Sequence, residues 1–307
     1  MGTLLKIAAR GSRLAMIQAE WVAARLRAAH PDLEVRIETF RTAGDRDRAT
    51  PLVRMPGLGF FVKELQAGLL DGRIDLAVHS LKDVPTQLPE GLEVEAAVPE
   101  REDPRECLVT PAGLRLDQLP EGAAVGSGSP RRRAMMLAAR SDLAFIDLRG
   151  NVETRLKKLA AGACDATVLA RAGLARLGVL DRRMVVLEPQ VLLPPPGQGA
   201  LGLEFRAADE RIGAWAAALD HPPSRWAVTA ERALARRLAA GCRTPLGALA
   251  AVDGSGGLVL DAWLLSADGR ESMRQEARGD AGDAARIGTA LAERLIAEGA
   301  RRFVAPE

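Results

Sequence analysis

Along the chain, short apolar runs alternate with stretches whose apolar residues recur every three to four positions, the pattern of strands passing into amphipathic helices. Residues 4–9 read as a buried strand, Arg10-Gly11-Ser12 as a turn, and the next stretch as a helix with the apolar face Leu14, Ile17, Trp21, Ala24 and Ala28. The unit recurs with a helix over 61–70 and a strand over 74–78, then with a strand over 123–125 and a helix beginning near Pro130. Further strands are expected over 144–148 and 166–169. Strands that alternate with helices imply a mostly parallel sheet, whose ligands bind beyond the carboxyl ends of the strands.

The pattern then changes. Leu193-Pro194-Pro195-Pro196-Gly197-Gln198-Gly199 is stiff and then permissive, which suits a crossing between domains, and Asp220-His221-Pro222-Pro223 is a second candidate boundary. A helix over 225–240 follows, with Ser224 placed to cap its start and Gly241 to end it. Segments 248–252, 258–265 and 271–278 read as antiparallel strands joined by Asp253-Gly254 and Asp268-Gly269, before a last helix over 283–299. The end of the chain is therefore expected to be a small α+β domain.

With 307 residues and 48% hydrophobic content, the chain can bury two or three separate cores. The 42 basic residues are nearly cancelled by 40 acidic ones, so any anion site must be local rather than a global field. Aromatic residues make up 3% and tyrosine is absent, which argues against a stacking platform for nucleic acid. No run of about eighteen apolar residues predicts a membrane span, and the first residues do not read as an export signal. Cys107, Cys164 and Cys242 are too dispersed for a metal knuckle and too odd in number for a disulfide set, so no metal and a reducing, cytoplasmic setting are expected.

The candidate chemistry gathers where strands end. Val125-Gly126-Ser127-Gly128-Ser129-Pro130-Arg131-Arg132-Arg133 runs from strand to glycine-serine turn to helix start, where N–H groups, hydroxyls and guanidiniums can converge on an anion. It lacks the Gly-Lys-Ser/Thr ending of a P-loop and the third glycine of a dinucleotide fingerprint, and it reads equally as a solvated basic helix start. Arg10, Arg149, Arg155, Arg171 and Arg176 recur at strand ends or just inside the next helix, with Asn151 as a candidate cap. Each alone reads as surface charge. Together they suggest a cleft for a ligand with several carboxylates. Lys82 and Asp83 follow the strand over 74–78; Asp83 reads either as a turn former or as an acid kept ionised by nearby cations, and His79 as a packed strand-end residue. Cys107 reads as core and Cys164 as a strand entry. Cys242 sits in a loop, where Arg243 favours a thiolate and the preceding helix end opposes it.

These segments together resemble the porphobilinogen deaminase (hydroxymethylbilane synthase) family over essentially the whole chain. The resemblance is carried by Ile7-Ala8-Ala9-Arg10-Gly11-Ser12-Arg13-Leu14-Ala15, Gly59-Phe60-Phe61-Val62-Lys63-Glu64-Leu65, Asp75 through Pro85, Arg101-Glu102-Asp103-Pro104-Arg105, the Ser129-to-Arg132 turn, Leu148-Arg149-Gly150-Asn151-Val152, Gly197-Gln198-Gly199-Ala200 and Gly241-Cys242. It implies an α/β fold of two periplasmic-binding-protein-like (type II) βα lobes plus a small C-terminal α+β domain. The expected domains are 1–99 with 200–219, then 100–199, then 220–307 carrying the cofactor cysteine.

By position in the family's motifs, Cys242 is expected to hold a dipyrromethane through a thioether, and Asp83 to be the catalytic carboxylate that assists loss of the amino group and stabilises an azafulvene-like cation. Lys82, Ser129, Arg131, Arg132 and Arg155 are expected to hold the cofactor's side chains, and Arg10, Ser12, Arg149, Arg155 and Arg176 the incoming ring or growing chain. The implied substrate is porphobilinogen, added four times with release of ammonia. A monomer with no nucleic-acid or membrane partner is expected. Leu58 stands where the family usually has a lysine in a loop over the cleft, and Gly128 replaces a more usual hydroxyl residue between Ser127 and Ser129. A solute-binding or sensor domain is the rival reading, opposed by the lack of an export signal or DNA-binding helix pair and by the extra domain bearing Cys242.

Overall fold

The computed structural model describes residues 3–40, 62–241 and 243–304. Cys242 and Leu58 lie outside the described residues. The first sheet begins with β1 (Thr3–Arg10), the helix α1 (Arg13–Ala29) and β2 (Leu33–Phe40), and continues with α2 (Lys63–Leu70), β3 (Leu76–Ser80) and the short β4 (Leu92–Glu93). Leu5, Ile7, Ala8 and Ala9 of β1 are all buried, because helices cover both faces of a parallel sheet and leave no polar side.

After crossing out of this lobe the chain forms β5 (Glu106–Val109), β6 (Ala124–Gly126), α3 (Pro130–Ala139), β7 (Ala144–Ile146), α4 (Val152–Ala160), β8 (Ala166–Ala170), α5 (Arg171–Arg176) and β9 (Met184–Leu187). It then returns to the first sheet as β10 (Leu201–Arg206), followed by α6 (Glu210–Ala217).

The two sheets share one plan. Their strand orders are β2-β1-β3-β10-β4 and β7-β6-β8-β5-β9. In each, a parallel trio meets an antiparallel fourth strand, and that strand is the first one after a crossing between lobes. The crossings run side by side: Glu102 N–H donates to Gly199 O (3.3 Å), Arg101 Nε to Gln198 O (2.7 Å) and Gln198 Nε2 to Pro104 O (2.7 Å). Gly199 has φ +87°, and a Cβ there would lie 2.2 Å from Glu102 O, so only glycine allows the two strands to approach this closely.

The chain ends with α7 (Pro222–Leu238), the antiparallel sheet β11 (Leu246–Val252), β12 (Gly257–Leu265) and β13 (Ser272–Asp280), and α8 (Ala284–Ala297). One core joins this sheet to α7 and α8 through Leu234, Leu260, Leu264 and Leu291. Leu265, with half-buried Leu249 and Trp263, packs instead into the core of the second lobe.

Glu231 of α7 is fully buried where these parts meet. It accepts Arg101 Nη1 and Nη2 (2.6 and 3.1 Å) from the outgoing crossing, Gly197 N–H (2.7 Å) from the return crossing and Ala250 N–H (2.8 Å) from β11.

Two local expectations are corrected. On α1 the buried residues are Gln18, Ala19, Val22, Ala23 and Leu26, while Trp21 is exposed with the Arg25 guanidinium 5.1 Å from its ring centroid. Small Ala19 and Ala23 let the helix approach the sheet closely, and Leu14 turns instead toward Gly173 of the second lobe. Helix α7 begins at Pro222, with the pre-set φ of proline suited to a first turn; Ser224 is buried and its Oγ accepts Arg101 N–H (2.8 Å) instead of capping. The helix closes on Ala239 in the left-handed region (φ 53°), not on Gly241.

Replacing Glu231 by alanine should lower unfolding stability by about 3–5 kcal/mol, since a buried guanidinium loses its counter-charge. Urea denaturation of the wild type and Glu231→Ala checks this, and a loss below about 1 kcal/mol would contradict it.

Candidate active site

The site follows from how the parallel strands end. Ser12 Oγ accepts Ala15 N–H (3.3 Å) to start α1 after β1, Ser129 Oγ accepts Arg132 N–H (3.4 Å) to start α3 after β6, and Asn151 Oδ1 accepts Thr154 N–H (2.8 Å) to start α4 after β7. The partly positive N-termini of these helices therefore lie at the carboxyl edges of both sheets. Arg13 Nη1, from α1, bonds Glu153 Oε1 (2.8 Å) of α4, joining the lobes.

Strand β3 delivers the acid. After Ser80 the chain makes a 3-10 turn over Leu81–Asp83, with Leu81 buried and its N–H donated to Ala200 O (3.0 Å). Asp83 is exposed and lines a pocket of about 80 Å³ with Arg10, Ser12, Gln18, His79 and Ser80. Gln18, itself buried, donates through Nε2 to Ser80 Oγ (3.0 Å) and fixes one wall. His79 is packed as expected: its Nε2 lies 2.9 Å from Glu204 Oε2, and both are buried.

Lys82 turns the other way, toward the second lobe, and Nζ donates to Gln198 Oε1 (2.9 Å). Burial lowers its ammonium to about 8; Asp83 and Glu106 oppose the fall, while Arg132 and Arg131 add to it. Arg155 is lowered to about 10 by burial and by Arg132 and Arg149, against Asp83 and Asp147. Lys82 and Asp83 from the first lobe thus share an electrostatic neighbourhood with Arg132, Arg149 and Arg155 from the second.

The remaining expected residues divide. Arg131 and Arg132 are both buried on Glu106, a fully buried carboxylate in β5. Arg132 donates through Nε (3.2 Å) and Nη2 (2.8 Å), while Arg131 bonds the same group and gives Nη1 to Leu193 O (2.6 Å). Burial alone would raise the Glu106 carboxyl, but Arg132, Arg131 and Lys82 hold it well below the usual carboxylate range. Arg176 reaches the return crossing, where Nη2 donates to Gly199 O (2.7 Å).

Glu106, Gln18 and Gln198 were not singled out from the sequence. An acid opening the apolar run Glu106-Cys107-Leu108-Val109 was the available signal, because a buried charge requires a partner. Cys107 and Cys164 are buried, and burial raises both thiols, Cys107 to about 11. Among the described residues no cluster of His, Cys, Asp or Glu could hold a metal, and no helix is long and apolar enough to cross a membrane.

Cations from two lobes thus meet around the exposed carboxylates of Asp83 and Asp147. A ligand carrying several carboxylates fits this donor set. The chain belongs to the porphobilinogen deaminase family, whose members are hydroxymethylbilane synthases and hence transferases. The family model "Porphobilinogen deaminase, dipyromethane cofactor binding domain" matches residues 5–214, and "Porphobilinogen deaminase, C-terminal domain" matches 226–297. Proteins named porphobilinogen deaminase are 46% identical in Thermus thermophilus (97% of each chain) and 48% identical in Moorella thermoacetica (96% of this chain, 94% of the other). A third, from Roseiflexus castenholzii, is 45% identical over 99% of this chain and 100% of its own. Among solved structures, the regulatory domain of OxyR2 from Vibrio vulnificus aligns with 71% of this chain and 94% of its own at 15% identity and a TM-score of 0.43, too loose a likeness to add to that assignment.

In protein free of the primer (Cys242→Ser), the Lys82 ammonium should titrate near pH 8, so its attraction for carboxylates fades as pH rises through that value. Lysine side-chain carbon NMR against pH should show one resonance with that midpoint, absent in Lys82→Arg; midpoints above about 10 for every lysine would contradict it.

Proposed function

We propose that this chain condenses four porphobilinogen molecules, with release of four ammonia molecules, onto a dipyrromethane primer held by Cys242, and that water then cleaves the bond between the primer and the four added rings, giving hydroxymethylbilane and leaving the primer on the protein. The observation that carries this is the Lys82-Asp83 turn of one lobe set against Arg132, Arg149 and Arg155 of the other. When bound, the primer supplies a nucleophilic pyrrole carbon.

The chain's own residues do the rest. Arg10 and Ser12, beside Asp83 in the pocket, receive the acetate and propionate of the incoming ring, with Arg149, Arg155 and Arg176 extending the same attraction to later rings. Lys82, Ser129, Arg131, Arg132 and Arg155 hold the primer's carboxylates. Arg132 and Arg155 are partly lowered in cost for this role, since every carboxylate brought in offsets buried positive charge.

Asp83 acts at the positive centre left when the amino group departs. Its carboxylate stabilises that charge at pyrrole N–H reach and accepts or returns a proton as the new carbon–carbon bond forms. The nearly balanced charge and low aromatic content speak against nucleic acid, and we propose a monomer acting in the cytoplasm. The domain limits we propose are 1–99 with 200–219, 100–199 and 220–307.

Incubation with porphobilinogen, followed by the uroporphyrin-like absorbance that appears after product cyclisation, tests the reading; absence of product would overturn it. Asp83→Asn should stay folded and lose at least about 100-fold in turnover, the scale of a lost acid–base group. Intact-mass spectrometry of purified protein should show the added dipyrromethane in the wild type and its loss in Cys242→Ser. An unmodified mass in active wild-type protein would rule the anchor out.

A further inference from the structure

We propose that Arg232, a buried residue of α7, is a positioning residue for the condensation, fixing the backbone directly behind Asp83. This rests on the roles proposed above for Asp83 and Cys242. Arg232 is 2% exposed and reaches from α7 into the first lobe. Its Nη1 donates to Val84 O (2.9 Å), its Nη2 to Pro85 O (2.8 Å) and its Nε to Glu95 Oε1 (2.7 Å). One helical turn on, Arg236 donates through Nε to Thr86 O (2.8 Å) and through Nη2 to the same Glu95 oxygen (2.9 Å). The carbonyls of three successive residues directly behind Asp83 are therefore held by one face of one helix.

Val84 is also held by burial with Leu81, Val94, Val98 and Val228 in one apolar cluster. Pro85 has no N–H to give, and the turn over Leu81–Asp83 is a single 3-10 turn whose front is tied by Leu81 N–H to Ala200 O. Its rear is set by the two guanidiniums. Glu95 pairs with both, so burial of Arg232 carries a shared counter-charge with it. All three guanidinium nitrogens of Arg232 donate to protein oxygens.

Helix α7 ends at Leu238, and Cys242 follows four positions later in the sequence. The helix that grips the carboxylate's loop is thus the one that leads into the anchor. A displacement of about 1 Å between a catalytic group and its target can cost on the order of 100-fold in rate, so a fixed backbone behind Asp83 has a direct kinetic consequence.

The test uses holoenzyme, with the loaded fraction measured by intact mass and rates expressed per loaded site. Arg232→Lys keeps the charge but cannot bond both carbonyls at once. We expect kcat to fall about 10- to 100-fold, with KM for porphobilinogen changed less than about twofold. In Asp83→Asn/Arg232→Lys the second change should add nothing to the first, because Arg232 works through Asp83. An unchanged kcat per loaded site, with only a lower melting temperature, would mean a purely structural residue; losses that multiply in the double variant would place its effect elsewhere. Either overturns the proposal. Should Arg232→Lys fail to fold, Arg236→Ala, whose side chain is 44% exposed, removes the Thr86 bond and should give a smaller kcat loss that also vanishes with Asp83→Asn. Full activity there counts against the clamp. Near-normal turnover in Asp83→Asn alone would instead remove the underlying role of that carboxylate, a result read independently of any Arg232 variant.

Discussion

The buried pair between Glu231 and Arg101 is the constraint on which the arrangement depends. Both crossings between the lobes pass this point, and the third sheet is tied to it through Ala250 N–H. A carboxylate this deeply buried is tolerable only if its lone pairs are satisfied, and here a bidentate guanidinium and two backbone donors satisfy them. Because the partners come from three separate stretches of chain, the interaction forms only when the lobes and the terminal domain are assembled together. It therefore specifies one relative placement of the parts that bear the proposed site.

The same electrostatic logic sorts the arginines. Arg232 and Arg101 have acidic partners inside the protein and act as struts, while Arg155 and Lys82 have burial costs that protein charges only partly relieve. Groups of the second kind gain most from an incoming carboxylate. Glu106 sits at the divide: its one negative charge is shared by Arg131 and Arg132, which leaves net positive charge there for an incoming carboxylate to offset. The proposed clamp from α7 belongs to the first kind, and its importance is geometric rather than electrostatic.

Much of the fold was legible because its signals are local. The turns after β1, β6 and β7 could be read from glycine, serine and asparagine standing between an apolar run and a helical period, and Asn151 and Ser129 do cap as those positions suggest. The antiparallel trio near the end was equally readable from alternation and Asp-Gly turns. The helix faces were less so. Trp21 marks hydrophobicity on α1 but not its buried side, because contact with a sheet selects small residues for close approach and leaves a bulky ring outside. Ser224 has the composition of a cap, yet proline starts the helix earlier and the hydroxyl is taken by Arg101 N–H.

The sequence by itself determined the alternation of strands and helices, the family, and the supply of cations and one acid at strand ends, since these depend on spacing along the chain and on residue chemistry. Only the tertiary structure decided which cations are committed to Glu106, Glu231 and Glu95 and which remain poised around Asp83. Pairing between residues more than a hundred positions apart, such as Arg101 with Glu231 or Arg232 with Val84, leaves no local trace, because burial and counter-charge exist only once separate segments have packed against each other.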